Sequence, residues 1–442
     1  MGEERKRSIG VTEAISIGIG GMVGGGIFAV LGLAVQLGRG GTPVAFLFAG
    51  AVALITAYSY NRLSVTYPSE GGTVSFLIQG FGSGLLSGTL NILLWVSYIV
   101  MLSLYSYAFG SYGATFFPGE QQLMWKHVLT SVVIIAIMVL NFFKANIIGR
   151  VENLIVGAKL AILMLFVAIG FFTVNPSSLA PSTWEAPLSL ISGGFIIFVA
   201  YEGFELIANT AQDLRNPKRN LPIAYYTAVL VVIALYVLVA IVTVGNLPIS
   251  QIVASKDYAL AEASKPFLGQ SGFLLIVIAA LLSTTSSINA TLYGTNRFTY
   301  LISQFGELPV LPKKETKSLY IGGGLLITCA ITLIVANILD LRNISTMGSA
   351  GFLLIFAAVN WTNYQLRKRT KSFWPIPVLG TVACLGAVVA LLWETIITHP
   401  SNMLVLAVML GLSALIAFSY QQFHKRNKDK EKPQNIPTLP NS

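Results

Sequence analysis

Five glycines within seven residues, Gly20-Gly21-Met22-Val23-Gly24-Gly25-Gly26, stand in the middle of the first long apolar segment of the chain. A helix that crosses a bilayer keeps its backbone amides and carbonyls paired within itself, because hydrocarbon offers them no other partner. Glycine is a poor helix former and leaves no side chain to pack, so a cluster this dense favours an opened backbone at membrane depth. Groups freed there need a ligand, an ion or enclosed water. The simpler alternative is that Gly20 and Gly24 form a small-xxx-small surface for close helix packing.

Composition makes this a membrane segment. Of the 442 residues, 54% are hydrophobic and only 10% charged, against roughly a quarter charged in a soluble domain. Apolar runs of spanning length recur near 12–37, 43–66, 84–115, 126–143, 150–173, 189–210, 222–245, 271–303, 319–337, 343–366, 374–397 and 402–423. No polar interval is long enough for a soluble domain, so residues 1–424 read as a single all-α transmembrane domain of about twelve helices. A tail over 425–442 is polar and proline-bearing, which predicts disorder. Pro43, Pro222 and Pro375 fall near segment starts, where a missing N–H costs nothing, and residues 246–270 read as a long loop with a helix-prone stretch at 258–263.

The net charge of +10 would suggest nucleic acid in a soluble protein. Here the basic residues outside the membrane divide about 22 to 5 between alternate sides, and by the loop-asymmetry rule the rich side, which carries both termini, is cytoplasmic. The expected location is the cell membrane, with a lipid bilayer and no nucleic acid as partner, and a monomer or weak oligomer. No cleavable signal peptide is expected, because Glu3-Glu4-Arg5-Lys6-Arg7 leads into an apolar segment too long for one. Cys329 and Cys384 lie inside apolar segments and read as buried thiols, so no disulfide-linked partner is expected. His127, His399 and His424 fall at segment ends, and no P-loop, HExxH or GxSxG pattern occurs. The sequence therefore suggests no enzyme chemistry, no cofactor and no metal.

The sixth span repeats the oddity of the first. Phe198-Val199-Ala200-Tyr201-Glu202-Gly203-Phe204-Glu205 places two carboxylates and a glycine in an apolar run, where ionisable groups are costly and usually functional. Interrupted segments five spans apart are the sign of two inverted five-helix repeats, about 9–173 and 187–366, with two further helices over about 374–424 and a binding site at the repeat interface. The alternative is that Glu202 and Glu205 only pair with neighbouring helices.

Gly20 to Phe28 and Ala200 to Glu205 resemble the first and sixth helices of the amino acid–polyamine–organocation transporters. Asp213-Leu214-Arg215-Asn216-Pro217-Lys218-Arg219-Asn220-Leu221-Pro222 is similar to that family's loop after helix six. Asn296-Arg297-Phe298 through Gly306-Glu307-Leu308-Pro309 resembles the close of helix eight, although the family usually has a small residue where Asn296 stands. The likeness runs through spans one to ten and implies a LeuT-like fold with discontinuous helices 1 and 6. Within the family the chain looks closest to the proton-coupled broad-specificity amino-acid transporters.

That placement rests mainly on Lys159 in the fifth span. Nine residues beyond Arg150, at about 1.5 Å of rise each, its Cα lies roughly 13–14 Å deep in a core about 30 Å thick. Snorkelling cannot easily span that depth, and desolvation there disfavours the ammonium form, which makes Lys159 a candidate proton carrier. The resemblance implies a lysine ammonium where sodium-coupled relatives hold a cation, near the carbonyls of Gly20 and Val23 and the hydroxyls of Ser283, Ser286 and Ser287. It also implies a substrate site in which the amides of Gly24, Gly25 and Gly26 take an α-carboxylate. Carbonyls of Val23, Phe198, Val199 and Tyr201 would then take the α-ammonium, with Phe204 as an aromatic over the substrate. Glu205 matches the family's acidic position in helix six and is a weaker second proton site. Glu202 departs from a usually apolar position and reads either as a preference for cationic substrates or as a carboxylate turned to another helix. Ser97 and Met101 on the third span, with Trp95 and Tyr98, and Asn289 and Tyr293 on the eighth are side-chain candidates. The expected activity is proton-coupled symport of α-amino acids by alternating access. The alternatives are a sodium-coupled symporter or an exchanger of the same fold, and more remotely a membrane amino-acid sensor.

Overall fold

The computed structural model describes residues 9–142, 148–304, 316–400 and 402–430, with side chains throughout except at 142, 148–153, 293, 296–304, 316–323, 420, 421 and 423–430. Among the described residues, nine helices are long and apolar enough to cross a membrane, two bent pairs supply two more spans, and Gly324–Ile338 is a shorter apolar helix within a twelfth segment, Thr316–Ile338. Span 1 is Val11–Met22 followed by Gly26–Gly38, bent by 44°, and span 6 is Pro187–Ile196 followed by Phe198–Thr210, bent by 48°. The others are span 2 (Thr42–Thr66), span 3 (Leu85–Ala114), span 4 (Gln122–Phe142), span 5 (Ile148–Gly170) and span 7 (Pro217–Asn246). Span 8 (Ala259–Gln304), span 9 (Thr316–Ile338), span 10 (Leu341–Gln365), span 11 (Pro375–Thr398) and span 12 (Asn402–Lys430) complete the order. The fold is thus all-α, as the hydropathy pattern implies, and both discontinuities fall where the glycines and carboxylates interrupt the apolar runs.

Burial sorts the spans into a core and a lipid-facing shell. The central windows of spans 10, 3 and 7 are 83%, 67% and 61% buried, whereas those of spans 4 and 12 are 22% buried. The shell carries exposed apolar side chains such as Leu123, Val389 and Leu404, which a bilayer would solvate. The two broken spans therefore lie inside a cage of continuous helices.

The breaks face each other. A Cβ on Gly21 would meet the backbone of Gly203, and one on Gly26 would meet the backbone of Ala200. Residue numbers rise along one segment as they fall along the other, so the two cross antiparallel, as inverted repeats require. Span 6 opens because Glu202 is extended (φ −63°, ψ 147°) and Gly203 adopts φ 116°, a conformation that L side chains avoid. Span 1 opens without a left-handed residue; its glycines are needed for the close approach.

Two stretches differ from the expectation set by hydropathy. Residues 246–270 are helical rather than a loop: Ile249–Ala254 and Lys256–Tyr258 lead into Ala259, and the chain turns at Gly269 (φ 63°) before the membrane part of span 8. Ile252, Leu260, Ala261 and Ala263 are fully buried, so this arm joins the core, with the Lys256 backbone packed against Gly32 of span 1. Span 12 is helical to Lys430, past its expected end; the residues beyond lie outside those described. Pro222 lies inside span 7, which begins at Pro217.

Gly203→Ala should lower thermal stability in detergent by roughly 1–3 kcal/mol through backbone strain and overlap with Gly21. Gly157→Ala, with open space around its Cβ, should be neutral or slightly stabilising. Equal melting of the two variants would refute the assigned strain.

Candidate functional site

The carbonyls released by the break in span 1 are taken up by side chains from three other spans. Lys159 of span 5 is 1% exposed, and its Nζ donates to the Gly20 carbonyl at 3.1 Å. The Tyr236 hydroxyl of span 7 donates to the Met22 carbonyl at 2.6 Å. Ser283 of span 8 reaches the Val23 carbonyl at 3.0 Å and also that of Gly24. Regular pairing resumes with Ala29 N–H to the Gly25 carbonyl at 2.9 Å. The amides at the head of Gly26–Gly38 precede that bond and form the positive end of a half-helix, suited to an anionic group.

Span 6 is held in the same way. Ser345 and Ser349 of span 10 both donate to the Ile196 carbonyl at 2.7 Å, and Val199 N–H donates back to Ser349 Oγ at 2.9 Å. Tyr236 also lies 3.1 Å from the Ala200 carbonyl, so one hydroxyl bridges the two breaks. The carboxylates face span 3: Tyr105 donates to Glu202 Oε2 at 3.1 Å and Tyr98 to Glu205 Oε1 at 3.4 Å. Glu205 Oε2 also accepts from Gly203 N–H at 2.8 Å.

A cavity lined by Leu94, Tyr98, Leu206, Asn209, Thr291 and Thr295 enters between spans 3, 6 and 8. It lies toward the end of span 6 that leads to Leu214, which bridges to Ile9, so it is on the side of the N-terminal segment. The opposite end is crossed by hydrogen bonds and also holds a second cavity, lined by Leu33, Gln36, Lys256, Asp340, Arg342 and His399. Asp257 of the helical arm accepts from Lys126 of span 4 at 2.8 Å and from Tyr107 of span 3 at 3.0 Å, while Tyr112 donates to the Phe28 carbonyl at 3.1 Å.

The residues singled out from sequence are distributed unevenly. Gly20, Val23, Gly24, Gly25, Gly26, Val199, Tyr201, Lys159 and Ser283 stand at the two breaks; Tyr201 donates to the Phe46 carbonyl of span 2 at 2.8 Å. Of the contacts expected for Lys159, the one to the Gly20 carbonyl is present, whereas the Val23 carbonyl accepts from Ser283. Ser287 packs on Gly24 but donates to the Ser283 carbonyl of its own helix, and Ser286 is half-buried. Ser97 donates to the Leu93 carbonyl of its own helix and packs on Gly351 of span 10. Met101 is fully buried, and Trp95 donates to Thr328 of span 9. Asn289 accepts from Asn141 of span 4 at 2.9 Å, and the Tyr293 side chain lies outside those described. Phe198 and Phe204 join an aromatic cluster with Phe356, and Phe204 also meets Tyr60.

Tyr105, Tyr236, Ser345 and Ser349 are not among the residues that the sequence singles out. A signal is present for the first: Tyr98, Tyr105 and Tyr112 recur every seven residues on span 3, a spacing that stacks them on one helix face. A lone tyrosine or serine in an apolar helix carries no such mark.

Two antiparallel broken helices, enclosed by continuous ones and offering a positive amide end beside clamped carbonyls, define a membrane transporter of the inverted-repeat class. The chain belongs to the amino acid permease family, whose model matches residues 9–415. It is 34% identical to the inner membrane transport protein YbaT of Escherichia coli over 397 residues, covering 89% of this chain and 91% of that protein. Two Bacillus subtilis proteins, a methylthioribose transporter and the branched-chain amino acid permease BcaP, are each 24% identical, covering 95% of this chain and 94% of theirs.

Ser283→Ala removes the one hydroxyl hydrogen that two buried carbonyls share, a loss of about 1–3 kcal/mol. Substrate affinity, measured by equilibrium binding to purified protein, should fall about tenfold or more, and wild-type affinity in the variant would show that the clamp does not shape the site.

Proposed function

We propose that the protein is a proton-coupled symporter that imports α-amino acids across the cell membrane by alternating access, with both termini in the cytoplasm. The observation that carries this reading is the bond from Lys159 Nζ to the Gly20 carbonyl at 3.1 Å. A protonated lysine makes a charge-assisted bond there, about twice as strong as a neutral one, and so ties span 5 to the first half of span 1. Loss of the proton weakens that tie while Tyr236 and Ser283 still hold the rest of the break. Proton binding at Lys159 thus biases the position of one half-helix, and the substrate, bound across the same break, senses it.

The substrate's carboxylate is assigned to the amides of Gly24, Gly25 and Gly26, of which that of Gly24 donates to the Gly21 carbonyl at 3.2 Å in this conformation, and its ammonium to the carbonyls of Val23, Phe198, Val199 and Tyr201. Those carbonyls keep a second lone pair where a side chain already occupies the first. The family description and the name of one relative support an amino acid as cargo. The name of another relative specifies methylthioribose, so the assignment to amino acids is open to direct test. The cavity on the side of the N-terminal segment, with the opposite end tied by Asp257, corresponds to a state facing the cytoplasm. Residues 9–173 and 187–366 form the two working repeats, and 374–424 are accessory.

The test is uptake of radiolabelled amino acids into sodium-free proteoliposomes, acid outside and neutral inside. Concentrative uptake is expected for the wild type and should be lost in Lys159→Ala. Accumulation by both would remove Lys159 from the coupling, and accumulation by neither until sodium or internal amino acid is supplied would replace proton symport with sodium symport or exchange.

A further inference from the structure

Tyr105 occupies the space over the amide end of span 1. Gly25 carries no side chain, and a Cβ built there would run into the Tyr105 ring. The ring is 2% exposed, and Gly24, Gly25 and Gly26 beneath it are buried. The cavity from the N-terminal side ends at Tyr98, two helical turns before Tyr105 on the same face of span 3. In this conformation the ring, rather than water, covers the amides.

The ring's hydroxyl is tied to the other broken helix. It donates to Glu202 Oε2 at 3.1 Å, and Glu202 is itself 3% exposed, on the extended residue that precedes the left-handed Gly203. The neighbouring tyrosines are fixed differently. Tyr112 bonds to backbone, at the Phe28 carbonyl, and Tyr98 bonds to Glu205, whose other oxygen is held by the Gly203 amide. The Tyr105 tie is one hydroxyl on one carboxyl oxygen, and rotation about the side-chain torsions is enough to break it.

The geometry points to Tyr105 as a movable plug over the substrate's amide site, and to Glu202 as the positioning residue that holds the plug closed. Glu202 is then not a receptor for a cationic side chain; it sets the affinity of the site by setting how firmly the ring stays in place. The inference rests on the reading that the substrate's carboxylate binds at Gly24–Gly26. A substrate that reaches those amides must first displace the ring and break its hydroxyl bond. Removing the bond should therefore tighten binding, by about tenfold if the tie is worth what a typical buried hydrogen bond is.

Two measurements on the purified full chain separate the plug from the amino-acid function on which it rests. The first needs no substrate: hydrogen–deuterium exchange of the peptide containing Gly24 to Phe28. The first amides of the half-helix precede its regular bonding, so their exchange reports water access. Tyr105→Phe and Glu202→Ala should both exchange at least several-fold faster than wild type, and Glu202→Gln, whose side-chain carbonyl still accepts the hydroxyl, should restore slow exchange. Unchanged exchange in Tyr105→Phe and Glu202→Ala overturns the plug. The second is uptake of tritiated alanine and tritiated lysine in proteoliposomes. Tyr105→Phe and Glu202→Ala should lower KM for whichever is carried by about tenfold with no rise in maximal rate, and combining them should add nothing further. Selective loss of lysine uptake in Glu202→Gln, with alanine unaffected, would make Glu202 a direct receptor and overturn the proposal. Faster exchange together with no uptake of either by any variant would support the plug and count against the amino-acid reading instead.

Discussion

Every polar backbone group freed inside a bilayer must find a partner, and in this protein that constraint reaches well beyond the two helices that break. An unsatisfied amide or carbonyl in hydrocarbon costs several kcal/mol, so opening span 1 and span 6 is possible only if neighbouring spans present hydrogen-bonding side chains at matching depth. Lys159, Tyr236 and Ser283 do this for the Gly20, Met22, Val23 and Gly24 carbonyls. Ser345, Ser349 and Tyr236 do it for the Ile196 and Ala200 carbonyls. Four helices thus present polar residues at the depth where two others are discontinuous. Other buried serines and tyrosines bond elsewhere, as Ser64 does with Tyr225 and Ser97 with its own helix.

The clamps also repeat with the fold. Spans five apart in sequence play equivalent parts, so span 5 stands to span 1 as span 10 stands to span 6. Each supplies the side chains that hold the carbonyls of the first half-helix of its partner: Lys159 in one case, Ser345 and Ser349 in the other. Spans 3 and 8 form a second such pair. Ser283 of span 8 grips the break in span 1, and Tyr98 and Tyr105 of span 3 grip the carboxylates at the break in span 6. The two halves share the placement while the chemistry differs. A hydroxyl clamp has the same charge at every physiological pH, whereas an ammonium clamp has a proton to lose.

How much of this is legible in the sequence depends on which signals are local. Glycine density and intramembrane carboxylates are read within one segment, so both breaks, the membrane class and most span boundaries are visible in the amino-acid order alone. Lys159 is legible for the same reason, since a charge at that depth is anomalous by itself. The partners of a freed carbonyl are not local. Nothing within span 7 distinguishes Tyr236 from a packing tyrosine, and nothing within span 10 marks Ser345 and Ser349, because their role is defined by contact with residues about 150 to 210 positions away. Asn289 illustrates the converse. An asparagine in an apolar helix is conspicuous, but its oxygen meets Asn141 of span 4, and only the packing of span 8 decides which way it turns. The arm at 246–270 misleads hydropathy because its apolar residues are interspersed among polar ones, and their burial shows only in three dimensions.

Tyr236 joins these observations mechanically. Its hydroxyl oxygen lies 2.6 Å from the Met22 carbonyl and 3.1 Å from the Ala200 carbonyl, and its single hydrogen cannot fully satisfy both. Any displacement of the first half of span 1 changes the share that each receives, and so transmits a shift at one break to the other through one oxygen. The serine clamp from span 10 holds Ile196 without regard to protonation, while the carboxyls of Glu202 and Glu205 lie beyond it on the other side of the break. Under the proposed coupling, span 1 is the moving member because the tie at its Gly20 carbonyl comes from a titratable group. The two similar repeats then differ in what holds the first half-helix of each broken span: a titratable lysine on Gly20 in one, two hydroxyls on Ile196 in the other.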